Sequence, residues 1–508
     1  MNDLPRKGLP PRTVLIAAVL VTALITILIA ALLINITERR WEARHPFVRL
    51  AEVDERTIDP AVWGRNWPHQ YDSYLRTVDY ERTRYGGSDA VPKQKLDADP
   101  WLRLMWAGFA FSLDYREARG HAYMLADQDH TERVLQRPQP GACLHCHSSI
   151  LPAYRHAGDG DVMAGFRLVN QMTWNEARQM TDDQGEPLVT HPIACVDCHD
   201  PQTMSLRVTR PGFIVGIRAL AESDEPLPHL PSVERWRRGD RREPYDANRD
   251  ASRHEMRSMA CAQCHVEYYF TPEGDPRGRN QLVFPWHHGL KAESQEAYYD
   301  EIGFSDWKHA ITGAGVIKVQ HPEFEMWSQG IHARAGVSCA DCHMPYERIG
   351  AMKVSSHHVR SPLLNAAQAC QVCHNVPEAE LLARAHTIQD RTRDLAERAA
   401  AALVDMLSAV KTAQDAGVDA AALAAPLQLQ RRAQWRLDWV YSENSHGFHA
   451  AQESARLLGE AIDYARRGEA LARQALAPGQ PPRRLEPPPM PSATPDAKAP
   501  PGPSAARD

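Results

Sequence analysis

The stretch CAQCHVEYYF at residues 261–270 begins with two cysteines three positions apart and a histidine directly after the second. This C-x-x-C-H spacing attaches a c-type haem, because both thiols reach one porphyrin and the histidine becomes an axial ligand of its iron. The pattern occurs five times and uses all 10 cysteines. The attachment residues are Cys143, Cys146, His147, Cys195, Cys198, His199, Cys261, Cys264, His265, Cys339, Cys342, His343, Cys370, Cys373 and His374.

Disulfides or a structural zinc site would explain paired cysteines, but neither explains a histidine after every pair. The sequence therefore predicts five covalently bound haem c groups. The motifs follow one another at uneven intervals of 52, 66, 78 and 31 residues, which argues against a tandem repeat. We expect a mainly α multihaem cytochrome c fold with few short strands. A net charge of −6 gives no reason to expect nucleic acid as a partner.

Residues 13–36 are almost wholly apolar, with the sequence TVLIAAVLVTALITILIAALLINI. A helix of this length spans roughly 36 Å, enough to cross a membrane. The run is longer than the apolar region of a signal peptide, so an uncleaved transmembrane anchor is favoured over a cleaved leader. Residues 1–12 are then cytoplasmic. Because c-type haem is assembled outside the bacterial inner membrane, residues 37–476 are expected to form a periplasmic pentahaem catalytic domain.

The composition changes after the last haem motif. Residues 378–413 are rich in Ala, Leu, Glu and Arg with a helical period, and Pro377 is well placed before a helix start. Further helices are predicted at about 427–440 and 450–476. Residues 477–508 are rich in Pro and Ala without an apolar period, which predicts a disordered tail.

Five segments carry a family resemblance. They are RGHAY at 119–123, CAQCHVEYYF at 261–270, KVQHPE at 318–323, SHHVRSP at 356–362 and GFH at 447–449. In this order and spacing they resemble the pentahaem cytochrome c nitrite reductases, over roughly residues 95–460. The resemblance implies the six-electron reduction of nitrite to ammonium. It places this reaction at one haem with a vacant axial position, fed by four haems that each have two histidine ligands.

Carried over residue by residue, the resemblance implies that the first haem is catalytic and that His147 is its only protein ligand. The implied distal ligands are His357 for the second haem, His121 for the third, His449 for the fourth and His332 for the fifth. His358 competes with His357 for the second haem. The implied catalytic residues are Arg133, Tyr268 and His321. The implied calcium ligands are Glu267, Gln320 and the carbonyls of Tyr268 and Lys318.

These residue types suit the chemistry. Arg133 and a protonated His321 supply positive charge for an anionic substrate, and Tyr268 offers a phenol donor. Glu267, an amide and two carbonyls are the hard oxygen ligands that calcium prefers. The sequence departs from the family at His147, where most members have lysine.

Two alternatives remain at this stage: a multihaem electron-transfer protein without catalysis, and a related reductase of hydroxylamine or sulfite. The resemblance also implies a membrane quinol dehydrogenase or another cytochrome c as electron donor. A homodimer through the helix at 378–413 is expected as well.

Overall fold

The computed structural model describes residues 11–42, 48–79, 81–87, 91–350, 352–477 and 481–490. Residues 1–10 and 491–508 lie outside the described residues, and with them most of the predicted cytoplasmic N-terminus and of the predicted tail. The described chain is mainly helical with only short strands, which confirms the predicted fold class.

The first helix, α1, spans Pro11–Glu42 and extends beyond the predicted 13–36 at both ends. It is long and apolar enough to cross a membrane, since its most apolar 18-residue stretch has a mean hydropathy of 3.0, and a signal sequence meets the same criteria. The hydroxyls of Thr22, Thr26 and Thr37 donate to carbonyls four residues earlier. The threonine hydroxyls are therefore satisfied without water.

Short helices and loops make up most of the chain between residues 48 and 377. The helices are α2 Pro60–Gly64, α3 Pro68–Leu75, α4 Lys95–Ala98, α5 Trp101–Met105, α6 Met124–Asp129, α7 Glu132–Gln136, α8 Leu144–His147, α9 Leu151–Ala157, α10 Val162–Gln171, α11 Trp174–Arg178, α12 Cys195–Cys198, α13 Pro211–Glu222, α14 Pro231–Arg238, α15 Ala247–Asp250, α16 Arg253–Ala262, α17 Ala292–Glu301, α18 Glu323–Gln329, α19 Ile331–Arg334, α20 Cys339–His343 and α21 Ala366–Ala369. Three of the haem motifs coincide with a one-turn helix, namely α8, α12 and α20.

The strands of the described residues form antiparallel two-stranded hairpins. They pair β1 Arg82–Thr83 with β2 Gly86–Gly87, β3 Tyr269–Phe270 with β4 Leu282–Val283, β5 Trp307–Lys308 with β6 Gly315–Val316 and β7 Tyr346–Ile349 with β8 Met352–Ser355. Strand β3 follows directly after Tyr268. Its pairing with β4 therefore fixes the direction in which the 261–270 stretch leaves the third haem motif.

Three long helices complete the fold: α22 Glu378–Asp415, α23 Ala420–Ser442 and α24 Ala451–Gln474. Helix α22 begins at the predicted residue. Helix α23 begins seven residues earlier than predicted and passes through Pro426, which is buried. A proline inside a helix removes one backbone hydrogen bond, so the sequence favoured a start after it. Tertiary burial of this turn outweighs that cost.

Two large hydrophobic clusters are present. One joins α22, α23 and α24 to α5 and to the β5–β6 region, and includes Trp106, Trp435 and Trp439. The other lies around the first and third haem motifs and includes Tyr154 and Trp286. The first cluster is built from aliphatic and aromatic side chains of helices that carry no haem motif, so it does not depend on a cofactor for most of its contacts.

Residues 481–490 belong to the tail for which disorder is predicted; they have no regular secondary structure and contact α22. The backbone N–H of Arg483 donates to Thr412, and that of Leu485 donates to Ser408, at 3.1 and 3.0 Å. Leu485 also packs against the C-terminal cluster. Polar side chains on α22 thus hold an otherwise irregular segment, which composition alone does not reveal.

Asp99 ties the loop before α5 to the long helices. Its carboxylate, only 4% exposed, accepts two hydrogen bonds from Arg393 at 2.8 and 2.5 Å and one from Tyr441 at 2.6 Å. Burial alone would raise the pKa of Asp99, but the donors from Arg393 and Tyr441 outweigh it and hold the pKa below its ordinary value.

Candidate active site

Four pairs of histidine rings face each other at nearly the same distance. They are His199 with His357, whose ring centres are 6.2 Å apart, and His265 with His121, His343 with His449 and His374 with His332, all at 6.3 Å. A metal ion held by two imidazole nitrogens at about 2.0 Å each separates the ring centres by about 6 Å. The spacing of these pairs therefore fits an iron with two histidine ligands.

Each pair brings one motif histidine against the distal residue that the resemblance implied. His357, and not His358, faces His199. Gly447, in the GFH segment, has φ +87°, and a Cβ atom there would lie 2.3 Å from the Thr392 hydroxyl. The glycine lets the chain pass α22 closely, which brings His449 to His343.

The second ring nitrogen of several of these histidines is fixed by an acceptor. The Nδ1 atoms of His147 and His199 lie 2.8 and 3.0 Å from the carbonyl oxygens of Met124 and Met204. The Nδ1 atom of His449 lies 2.6 Å from a carboxylate oxygen of Glu443. Such contacts leave Nε2 available for a metal and set the orientation of the ring.

His147 differs from the other motif histidines, because no second imidazole faces it at a comparable distance within the described residues. It lines a cavity of about 320 Å³ together with Cys143, Arg133, Tyr268 and Gln320. Further walls come from Phe109, Phe111, Gln128, Phe304 and Asp306. One motif thus borders an open space that combines a cation and a phenol with aromatic walls.

Arg133 is held at this cavity by three contacts. Its guanidinium donates to the Asp114 carbonyl at 3.0 Å and to the Gln128 side chain at 3.1 Å, and lies 4.4 Å from the centre of the Phe111 ring. Burial lowers the pKa of Arg133 from its ordinary value. An arginine stays protonated under such a shift, so the cavity keeps a fixed positive charge.

Tyr268 and His321 are neighbours, with ring centres 5.9 Å apart. The Nδ1 atom of His321 lies 3.4 Å from a carboxylate oxygen of Glu323, and the same oxygen is 3.8 Å from Nδ1 of His265. Burial raises the pKa of the Tyr268 phenol well above its ordinary value. The phenol therefore remains protonated and able to donate a hydrogen bond.

The residues implied for calcium also lie together. Glu267 is fully buried and accepts hydrogen bonds from the Gln320 backbone N–H at 2.6 Å and from the Tyr299 hydroxyl at 3.0 Å. Burial raises its pKa well above the ordinary value. Burial likewise raises the pKa of the neighbouring Asp306 to about 7. The buried carboxyl group of Glu267 and the half-buried one of Asp306, beside the Gln320 amide and the Lys318 carbonyl, fit a divalent cation, which would offset the cost of their ionisation.

The side chain of Lys318 turns away from these oxygens. Its ammonium donates to Asp438 at 2.9 Å and to Ser442 at 2.8 Å, and both charged side chains are fully buried. Asp438 also accepts from the Trp106 indole and the Val319 backbone, each at 3.1 Å. This pair anchors the KVQHPE segment to α23, so it fixes the backbone that carries Gln320 and His321.

The third haem motif lies between two others. Interaction with the Cys264 thiol raises the pKa of Cys146, and interaction with the Cys339 thiol raises the pKa of Cys261. None of the 10 cysteines, all of which lie in described residues, forms a disulfide. The buried Arg210 adds a further link, since it donates to the His145 carbonyl at 2.7 Å and pairs with Asp197 at 2.9 Å.

Comparison with known proteins is consistent with this arrangement. The model of the cytochrome c552 family matches residues 59–499. The chain belongs to the cytochrome c552 family. Cytochrome c-552 of Bacteroides fragilis is 35% identical over 454 residues, covering 87% of this chain and 82% of that protein. Cytochrome c-552 of Maridesulfovibrio salexigens is 34% identical over 462 residues, covering 88% and 82%.

A cytochrome c nitrite reductase from Desulfovibrio desulfuricans, whose catalytic subunit has two calcium sites, has a similar structure. The TM-score is 0.68 at 29% identity, over 83% of this chain and 87% of that one. This member of the cytochrome c552 family therefore has the fold of a cytochrome c nitrite reductase, and the family supports an oxidoreductase with haem.

Several residues around the two candidate sites were not predicted. Tyr299 donates to Glu267 from a helix further along the chain, the charge of Asp306 raises the pKa of Glu267, and Glu325 accepts from the Glu267 backbone N–H at 3.0 Å. Burial raises the pKa of Glu325 to about 8. The only local signal for Glu325 was its position as a second acidic residue shortly after the HPE sequence of residues 321–323. Nothing near Asp306 in the sequence indicates its role.

Proposed function

We propose that this chain reduces nitrite to ammonium at the cavity bordered by His147, and that the other four motifs deliver electrons to it. The observation that carries the proposal is the contrast between His147 and the other four motif histidines. Four motif histidines have a second imidazole at 6.2–6.3 Å, whereas His147 has a cavity with Arg133 and Tyr268. One vacant site fed by four closed ones is the arrangement that a multi-electron reductase needs.

The proposed cofactors are five haem c groups, each attached through one C-x-x-C-H motif. A haem above His147 would supply electrons and the metal to which the substrate binds. The unbridged thiols and the fitting histidine pairs support these attachments. The close contacts of the third motif with the first and the fourth support an electron route through the third haem.

The side chains of the cavity have distinct proposed roles. Arg133 attracts and orients the anion, because its charge is fixed and its position is set by Asp114 and Gln128. Tyr268 donates a hydrogen bond or a proton to the substrate, and His321, beside it, supplies further protons. Conversion of nitrite to ammonium consumes six electrons and eight protons, so proton donors at the cavity are as necessary as the haems.

A calcium ion is proposed beside the cavity, with Glu267, the Gln320 side chain and the carbonyls of Tyr268 and Lys318 as ligands. The buried carboxyl of Glu267 and the half-buried one of Asp306, whose pKa values are both raised by desolvation, support a cation there. Because Glu267 and Tyr268 are adjacent in the chain, the ion would also hold the backbone of the catalytic tyrosine in place.

We further propose a single-pass protein of the bacterial inner membrane with its catalytic domain in the periplasm. Helix α1 supports the anchor, and c-type haem assembly supports the compartment. The proposed oligomer is a homodimer through the long helix α22. The proposed donor is a membrane quinol dehydrogenase or another cytochrome c.

Electron paramagnetic resonance of the oxidised holoprotein tests the proposal, with and without nitrite. We expect one high-spin haem whose signal changes on adding nitrite, and ammonium as product with a reduced viologen donor.

Arg133→Ala is expected to weaken nitrite binding, whereas Arg167→Ala, which removes an exposed arginine of α10, leaves it unchanged. Five low-spin haems unaffected by nitrite would instead make the chain an electron-transfer protein. Hydroxylamine or sulfite turnover without nitrite turnover would assign it to a related reductase.

A further inference from the structure

Both ends of helix α6 contribute to the surroundings of the His147 imidazole. At its first residue, the Met124 carbonyl lies 2.8 Å from Nδ1 of His147. At its last residue, the Asp129 carboxylate accepts the indole N–H of Trp174 at 2.9 Å. The Trp174 ring in turn meets the His147 ring nearly at right angles, at 81°, with ring centres 6.3 Å apart. The short helix α6 therefore supplies one neighbour of the His147 imidazole, the Met124 carbonyl, and holds the other, the Trp174 ring, in place.

Trp174 is itself firmly placed. It is 2% exposed and begins α11, where Thr173 and Glu176 form a capping box. Its backbone N–H donates to the Gln139 carbonyl at 2.7 Å. Arg178, at the other end of α11, donates two hydrogen bonds to Asp129 at 3.1 and 3.0 Å. The indole therefore has little freedom to rotate or withdraw from His147.

We infer that Trp174, fixed by Asp129 and Arg178, is a positioning residue that sets the plane of the His147 imidazole. The inference rests on the proposed function, in which His147 is the axial ligand of the catalytic haem. A lysine amine in this position has no plane to fix, whereas an imidazole does. The rotation of an axial imidazole about its bond to iron affects the iron's electronic structure. Neighbours that orient a metal-bound histidine tune the metal.

The test uses the full-length holoprotein with its haems, in the absence of nitrite. Trp174→Leu removes both the ring contact and the indole N–H, and Trp174→Phe keeps an aromatic ring but loses the bond to Asp129. We expect an altered rhombicity of the high-spin resonance signal and a shifted midpoint potential of that haem, larger for leucine than for phenylalanine. Turnover is expected to fall about 10-fold for leucine.

Two controls separate positioning from general damage. Trp236→Leu removes a tryptophan whose indole donates to the Glu243 carbonyl, away from the cavity, and is expected to leave signal and potential unchanged. Haem content per chain is measured for every variant. Asp129→Asn keeps Trp174 but weakens its anchor, so it is expected to give a smaller change in the same direction even where Trp174→Leu loads haem incompletely.

Repeating the Trp174 substitution in a chain without the His147 imidazole makes the test specific for that ring. In His147→Lys, which has neither a ring plane nor an Nδ1–H, Trp174→Leu is expected to have no further effect on the signal or potential. An equal shift in both backgrounds, or a fully loaded Trp174→Leu and Asp129→Asn with wild-type signals, would overturn the inference. These measurements do not require nitrite turnover, so their failure is distinguishable from failure of the proposed function.

Discussion

At the scale of single residues, Tyr268 shows how burial and neighbours define a role. Its phenol lies at the cavity, beside His321, and burial keeps it protonated. We expect Tyr268→Phe to lower the rate of ammonium formation about 10²-fold, because the cavity loses a donor while its shape is kept. The visible haem spectrum should stay nearly unchanged. Tyr346→Phe, at an exposed tyrosine of β7, serves as the control, and a collapsed haem spectrum in Tyr268→Phe would make the phenol structural.

Glu267 leads to a second residue-scale prediction. Glu267→Gln preserves shape but removes the charge that a divalent cation requires, so we expect calcium to be lost on dialysis. Metal analysis of the purified protein checks this. Glu273→Gln, at an exposed carboxylate, should retain the ion. An unchanged calcium content in Glu267→Gln would contradict the assignment of the site.

The sequence was informative where a role is encoded by neighbouring residues. Each C-x-x-C-H motif is local, and His121, His357 and His449 lie in the family's short segments, whereas His332 was implied only by the resemblance as a whole. Asp306 could not be predicted in this way, because its relation to Glu267 arises only when β5 and β6 bring the 306–318 segment back to the third motif. The contact of Trp174 with His147 was not predicted, because the two residues are distant in the sequence and no local pattern links them.

At the scale of elements, the Lys318–Asp438 pair joins the KVQHPE segment to α23. Asp438→Leu would leave a buried ammonium without its counter-ion, and we expect it to destabilise the fold by about 3–5 kcal/mol. Adding Lys318→Met in the same chain should restore much of that loss, since an apolar pair of similar size needs no desolvated charge. Thermal unfolding of the holoprotein compares the three chains. A double variant no more stable than Asp438→Leu would show that the ion pair is not the cause.

Among the elements, the helical period of residues 378–413 predicted α22 to within a few residues. Helix α23 was predicted too short, because Pro426 is a local stop signal that burial in the C-terminal cluster overrides. For residues 481–490, composition alone predicted disorder. No sequence pattern indicates their hydrogen bonds to Ser408 and Thr412. Local propensity thus set the long helices, while tertiary contacts decided their ends.

At the scale of the whole molecule, Asp99 connects the first loops to α22 and α23. Its pKa is held below the ordinary value, so its contribution to stability is complete above about pH 4 and is lost as the pH falls further, when the carboxylate gains a proton. We expect Asp99→Asn to lower the melting temperature at pH 7 and to flatten its decline as the pH falls below about 4. Differential scanning calorimetry from pH 7 down into this acidic range checks this.

Asp183→Asn, at an exposed aspartate, provides the matched control and is expected to follow the wild-type curve. Equal acid sensitivity of Asp99→Asn and the wild type would mean that other carboxylates govern the acid transition.

The placement of the facing histidines along the chain has a consequence for biogenesis. On the proposed ligation, His121 and His332 are translocated before the motifs that they serve, and His357 emerges after the second motif but before the fifth. His449 is the last to cross the membrane, well after His343 has been delivered. The fourth haem would therefore wait half-ligated until the C-terminal helices arrive, and a chain truncated before His449 should accumulate with the fourth centre open in addition to the first.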